Sequence, residues 1–191
     1  MRNIAVFDFD GTLTSRDTLL DFIRFVYDGR CMSMLMGFML IAPQVMLMKV
    51  HLLSNHAVKE RMLAYFFGGM QQSELERYGR DYVRRAKTLL RDDVYARFAE
   101  HVKRGDDVYV VSASLEEWVR PVCMSLGAKA VIGTQFDTRS GRYASPNCYG
   151  AEKVRRFCEI EPERDTYHLK AYGDSRGDKE MFAFADEYEK V

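Results

Sequence analysis

Cysteine, histidine and proline are scarce in this chain, and net charge is absent. Four cysteines (Cys31, Cys123, Cys148 and Cys158) stand among 191 residues, and no two have CxxC spacing. That excludes a disulfide-stapled scaffold and points to reduced, buried thiols in a cytoplasmic protein. His51, His56, His101 and His168 lack metal-ligand spacing with a cysteine or with one another, which argues against zinc. Lys plus Arg is 28 and Asp plus Glu is 28, so the formal charge is zero. A nucleic-acid binder would carry a basic excess, so no nucleic-acid partner is expected. The N-terminus, Met1-Arg2-Asn3, enters a strand-like run at once and shows no secretory leader.

What is present is enough apolar residue, 47%, to bury one sizeable core plus an insertion. Ile4–Phe7 is apolar on both parities, the mark of a central strand covered on both faces. Leu19, Phe22, Ile23 and Val26 then fall at helical spacing, with Thr14 and Asp17 placed for a capping box. A Met-rich stretch, broken by Gly37 and Pro43, leads to a stripe of Val58, Met62, Tyr65 and Phe66, and then to Leu75, Tyr78, Tyr82, Ala86 and Leu89. Val94, Phe98 and Val102 continue the helical pattern to Gly105. From residue 108 strands and helices alternate: Val108–Val111, a helix ending at Gly127, Ala130–Gly133, a hairpin tip at Ser140-Gly141, a helix through Val154 and Phe157, His168–Tyr172, a helix through Met181, and a strand starting near Tyr188. The expected fold class is α/β: a Rossmann-like parallel sheet in three α/β/α layers with an inserted α-helical cap. Residues 1–14 and 89–191 form the core in this reading, and residues 15–88 the cap. The chain stops in or near a strand, which leaves a further C-terminal segment open.

Ligands of open parallel sheets bind beyond the carboxyl ends of the strands. This chain places Asp8 and Asp10 there after the first strand, Ser112 after the second, and Asp174 with Asp178 after the fourth. Converging carboxylates repel, so they need a cation or a shared proton. An all-oxygen set favours a hard cation, Mg2+. Lys153, at the start of a helix after Gly150, is the best-placed lysine to neutralise an arriving phosphate. Each feature has a plainer alternative: Asp10-Gly11 as a hairpin turn, Ser112-Ala113-Ser114 as a helix cap, Gly173-Asp174 as a surface turn, Lys153 as a solvated helix residue. Their joint placement at strand ends favours a site.

Together these residues resemble the haloacid-dehalogenase-like superfamily. DFDGT is Asp8–Thr12, VVSAS carries Ser112, GAEK carries Lys153, and GDSRGD carries Asp174 and Asp178. All four motifs occur in order and bracket almost the whole chain. The helical insertion after the first motif is similar to the branch containing phosphoserine phosphatase. The resemblance implies a magnesium-dependent phosphomonoester hydrolase working on a small phosphorylated metabolite. It implies Asp8 as nucleophile and Asp10 as general acid and base. It also implies Asp8, the Asp10 carbonyl and Asp174 as metal ligands, with Asp178 supporting the metal from behind. Ser112 with its neighbour Ala113, Lys153 and the backbone at Phe9 would hold phosphoryl oxygens, and Thr12 would help fix the loop. Relatives that cleave carbon–halogen bonds lack the acid two residues after the nucleophile, so Asp10 favours ester hydrolysis.

Asp17 and Arg61 fall near positions where phosphoserine phosphatases carry Glu and Arg. The pair could read a zwitterionic leaving group, but a capping role for Asp17 and a surface ion pair for Arg61 is the stronger reading. Ser-Ala-Ser also departs from the Ser-Gly-Gly of those enzymes.

Residues 32–48 carry no charge. The stretch is slightly short for a span and holds Pro43, and a single crossing would put Asp8 and Ser112 on opposite sides of a bilayer. A buried cap helix, with Met filling irregular gaps, is the first reading. A surface touching lipid or another cap is the second, and it makes a lipid phosphate monoester the alternative substrate. From another class, a phospho-receiver also gathers acids, a hydroxyl and a Lys at strand ends. It carries its phosphorylated Asp on a later strand and has no large insertion, so it fits less well. A silent binding protein is the third class. Oligomeric state is left open.

Overall fold

The computed structural model describes residues 1–29, 31–49 and 55–191; His51 lies outside them, as does the side chain of Cys31. A five-stranded sheet of β3 (Ala130–Thr134), β2 (Asp107–Leu115), β1 (Arg2–Phe7), β6 (Tyr167–Gly173) and β7 (Glu187–Lys190) organises the chain.

 The hydrogen-bonded order is β3-β2-β1-β6-β7, and every pairing in it is parallel. This is the sheet the alternating pattern predicts. The remaining pair, β4 (Phe136–Asp137) and β5 (Arg142–Tyr143), is a separate antiparallel hairpin whose tip holds Ser140 and Gly141, as the turn signal predicts.

Strand residues divide by parity between two cores. Ala5, Phe7, Val108, Val110 and Val131 pack on one face of the sheet; Ile4, Val6, Tyr109, Val111 and Ile132 pack on the other. The first face is covered by α1 (Leu19–Val26), α5 (Asp92–Arg104) and α6 (Glu116–Met124), the second by α7 (Ala151–Ile160) and α8 (Lys179–Phe184). Burial of both parities is why the strands read as continuous apolar runs.

The insertion between β1 and α5 holds α1, α2 (Cys31–Lys49), α3 (Asn55–Phe67) and α4 (Gln72–Lys87). It shares a core with the sheet: Phe22 of α1 stacks on Trp118 of α6 at 4.6 Å between ring centroids. Gly79 lets α4 press against the backbone of α6, since a Cβ there would overlap the Glu117 carbonyl. Asp21 ties α1 to α4, its carboxylate accepting two bonds from Arg85 (2.7 and 2.9 Å) and one from the Tyr82 hydroxyl (2.9 Å).

Four local expectations change. The Thr14–Asp17 capping box does not form. The helix starts two residues beyond Asp17, and the Thr14 hydroxyl donates to the Phe9 and Arg16 carbonyls instead. Asp17 still caps locally, its Oδ1 accepting from the Leu19 amide at 2.8 Å. The Met-rich stretch is one helix, α2, running through Pro43 rather than broken there. Gly37 is a packing device in it, because a Cβ would lie 2.5 Å from the rings of Tyr65 and Phe66 on α3. Nor is α2 buried all round: α3 covers one side, and Leu35, Met36, Met39, Leu40 and Met46 are exposed. On α3 the buried stripe is Val58, Leu63, Phe66 and Phe67, while Tyr65 turns outward.

Candidate active site

Asp8 follows β1 directly, and its amide donates to the Tyr172 carbonyl at 2.9 Å, which fixes it at the carboxyl edge of the sheet. Lys153 rises from the first turn of α7 and is buried between two carboxylates. Its Nζ donates to Asp8 Oδ1 and Asp178 Oδ1, both at 2.6 Å. Burial alone would lower the lysine's pKa, but Asp8 and Asp178 more than offset it, so the ammonium stays charged. Asp8 itself is pushed up to about 7, chiefly by burial and further by Asp178 and Asp10, against the pull of Lys153. The solvated-lysine and surface-turn readings therefore give way to a buried charge cluster.

Asp178 uses its second oxygen on the loop that carries it. Oδ2 accepts from the Ser175 amide at 3.0 Å and from the Ser175 hydroxyl at 2.9 Å. Gly173 is required beside it, since a Cβ would come within 2.6 Å of the Asp178 carboxyl carbon.

Among the described residues, Asp8, Asp174 and Asp178 each bring a carboxylate oxygen within 4.8 Å of the others. Thr12 lies between, its Oγ1 3.5 Å from Asp8 Oδ2 and 3.4 Å from Asp174 Oδ1. Gly11 adopts φ +79°, and a Cβ there would lie 2.5 Å from Asp174 Oδ2. The backbone thus cradles the Asp174 carboxylate where only glycine fits. Burial and the neighbouring Asp178 raise the pKa of Asp174. Three carboxylates against one lysine leave excess negative charge on an all-oxygen donor set, which fits a hard divalent cation. Asp178 has close partners at both oxygens and Asp8 has Lys153 at Oδ1 with Thr12 near Oδ2, so Asp174 is the least encumbered of the three.

Asp10 sits across the cavity from this cluster. Its Oδ1 accepts from the Thr18 amide and hydroxyl, both at 2.7 Å, and its Oδ2 accepts from the Ser114 hydroxyl. Trp118 Nε1 donates to the same Thr18 hydroxyl at 3.0 Å, so a chain of donors orients the carboxylate. Burial first, then the charge of Asp17, raises its pKa despite those bonds. Ser112 is buried, and its Oγ accepts from the Ser114 amide at 3.1 Å. β2 runs on through Ala113 to Leu115, so these serines do not cap α6. The Phe9 carbonyl accepts from the Thr14 amide at 2.9 Å, closing the loop after Asp8.

A cavity of about 160 Å³ joins these groups, lined by Asp8, Asp10, Asp17, Lys59, Ser112, Ala113, Asn147, Tyr149, Lys153, Ser175 and Gly177. Arg61 is not part of it. Its guanidinium meets Gln44 Oε1 on α2 at 3.5 Å, and Lys59 stands 3.8 Å from Asp17 instead. Lys59 and Arg61 are two residues apart on a helix, roughly 200° around its axis, so only one can face the cavity. Sequence reasoning missed Lys59, Thr18 and Ser114. Ser114 was findable, because on a strand it shares a face with Ser112.

The fold, with carboxylates, a hydroxyl and a lysine gathered at the carboxyl edge of its sheet, defines a hydrolase of a known class. Residues 5–183 match the model of the haloacid dehalogenase-like hydrolases, and the chain belongs to that family. As a member of it the chain is a hydrolase, and the receiver reading falls away. Protein CicA of Caulobacter vibrioides is 32% identical over 190 residues, covering 96% of this chain and 83% of that protein. A probable phosphatase of Mycobacterium tuberculosis is 36% identical over 88 residues, 44% of this chain and 31% of that one. In fold, the chain is similar to a Bordetella pertussis protein of unknown function, with a TM-score of 0.83 at 20% identity over 98% of this chain and 89% of that one. A substrate-bound phosphoserine phosphatase gives 0.59 at 17% identity, over 98% and 85%.

Proposed function

We propose that this protein hydrolyses a phosphate monoester of a small metabolite through an aspartyl-phosphate on Asp8. The observation that carries the reading is one buried cluster, in which Lys153 pins Asp8 at the strand edge while Asp10 faces the same cavity. In the first half-reaction an Asp8 oxygen attacks phosphorus and the ester P–O bond breaks. Asp10 gives its proton to the leaving oxygen. In the second, Asp10 takes a proton from water as that water attacks phosphorus, releasing inorganic phosphate and restoring the Asp8 carboxylate. The raised pKa of Asp10 suits a group that must hold a proton and then accept one. Lys153, the Ser112 hydroxyl and the backbone at Phe9 and Ala113 are assigned to the phosphoryl oxygens, and Thr12 to holding the loop. Asp8, the Asp10 carbonyl and Asp174 would hold magnesium, with Asp178 behind them. Bound there, the ion would neutralise charge building on the phosphoryl group.

Residues 15–88 are read as a cap over this edge, presenting Lys59 and Asp17 to the leaving group. An Asp17–Arg61 clamp for a zwitterion has no support in this geometry, so phosphoserine is not favoured over other phosphomonoesters. A lipid phosphate monoester is the second reading, favoured by the exposed apolar side of α2 on the helix layer that carries Lys59.

Phosphate release from a generic aryl phosphate tests the reaction. Turnover should require magnesium and should fall by about 10³-fold or more in Asp8→Asn. Undiminished turnover in that variant would refute the assignment.

A further inference from the structure

One side of α2 is left uncovered, and its chemistry names what covers it. Leu35, Met36, Met39, Leu40 and Met46 are 54–66% exposed, and Ala42 and Pro43 are exposed beside them. At 100° per residue these seven positions fall within about 160° of the helix surface. No polar residue interrupts the arc. Gln44 lies at its margin, and the opposite side, with Gly37 and Ile41, is packed on α3. A continuous exposed apolar face of this kind marks a contact surface.

We propose that this face of α2 docks onto an anionic lipid bilayer, lying in the interface without crossing it. Two observations select that occupant. First, residues 29–58 contain Arg30 and Lys49 and no carboxylate, although the whole chain is neutral. The apolar arc thus sits in the one long stretch free of acids, and exposed Arg61 adds a cation at its edge, bonded to Gln44. Basic residues beside an apolar face favour anionic headgroups. Second, the patch is small. Twelve residues of helix make a strip about 18 Å long and 10 Å wide, far below the ~800 Å² per partner of a stable protein dimer. Among the described residues, no helix is long and apolar enough to cross a membrane, which fits a contact that stays at the surface. The contact does not depend on the reaction proposed above. α3 carries Lys59 into the catalytic cavity and backs α2, so docking would hold the cavity one helix away from the lipid.

Flotation with vesicles tests this, using the whole chain with phosphatidylglycerol–phosphatidylcholine vesicles and with phosphatidylcholine alone. The protein should float with the anionic vesicles and partition at least about tenfold less onto the neutral ones. The double substitution Leu35→Glu with Met39→Glu should lower binding to anionic vesicles by about tenfold or more. Both positions are solvent-facing, so aryl-phosphate turnover and the melting temperature should not change. Protein that stays at the bottom of the gradient, or a double variant that floats as well as the parent, would overturn the proposal. A dimer that the double variant splits, with no flotation of the parent, would assign the face to a second copy instead.

Discussion

The carboxyl edge of the sheet and the helical insertion are built on opposite plans. At the sheet edge three carboxylates are held closely by other groups: Asp8 by Lys153, Asp178 by Lys153 and Ser175, Asp10 by Thr18 and Ser114. Glycines sit where a single added carbon would collide with those groups, at Gly11 and Gly173. In the insertion, the groups nearest the cavity are loosely held, with Lys59 and half-exposed Asp17 separated by 3.8 Å. Its longest helix shows an apolar side to solvent. A reaction that depends on fixed charge needs the first plan. Choice of leaving group and of location depends on surfaces that can change without disturbing the charge cluster, and the second plan leaves those free.

The sharpest break of this contrast is Lys153→Met. It leaves Asp8 and Asp178 facing each other in a buried site without their cation. Turnover should fall by about 10³-fold or more, and unfolding free energy by about 3–5 kcal/mol, read by denaturant melts. Survival of both would mean the sheet edge is not organised by charge. Gly11→Ala comes next. A Cβ at φ +79° meets the Asp174 carboxylate, so activity should drop about 100-fold or more, with weaker magnesium affinity in titration calorimetry.

Asp21→Asn probes the insertion's anchor. Losing the charge between Arg85 and Tyr82 should cost about 2–3 kcal/mol of stability in urea melts while retaining most of the activity. Equal stability would show that apolar packing alone seats the insertion.

A pH effect belongs to Glu117, outside both regions. Burial raises its pKa to about 7, Glu116 and Glu76 add to the rise, and among the described residues Oε2 has no hydrogen-bond partner. The folded chain keeps this proton where the unfolded chain has lost it. The contribution to stability is therefore full below the ordinary value of 4.5 and is lost as pH rises toward 7. Glu117→Gln should stabilise by about 1–3 kcal/mol at pH 8 and by nothing near pH 4, read as melting temperature against pH. The smallest effect expected is that of Lys59→Ala: about a tenfold rise in KM for a substrate with a polar leaving group, with stability unchanged.

The sheet and its edge were legible because strand burial on both faces writes itself as unbroken apolar runs, and because three of those runs end in residues with chemistry. Asp8, Ser112, Lys153, Asp174 and Asp178 all come to that edge, although no local rule says that Lys153 bridges two of them. The insertion was legible as helices but not as surfaces. α2 is apolar all round, so periodicity could not say which side meets α3, and Pro43 reads as a break unless neighbouring packing holds the helix. Arg61 and Lys59 are separated by a helix rotation that a motif match does not resolve. The start of α1 was misjudged because Asp10 reaches eight residues forward to Thr18, a bond that exists only once the loop has folded.

The central claim is that phosphorus is transferred to Asp8, and the direct measurement is mass spectrometry of Asp10→Asn mixed with an aryl phosphate and magnesium, then quenched in acid. Without Asp10 to activate water, the acyl phosphate should outlast mixing, and the protein should gain one phosphoryl group on the peptide holding Asp8. Phosphate on any other residue, or turnover at the parent rate with no labelled Asp8, would contradict the account.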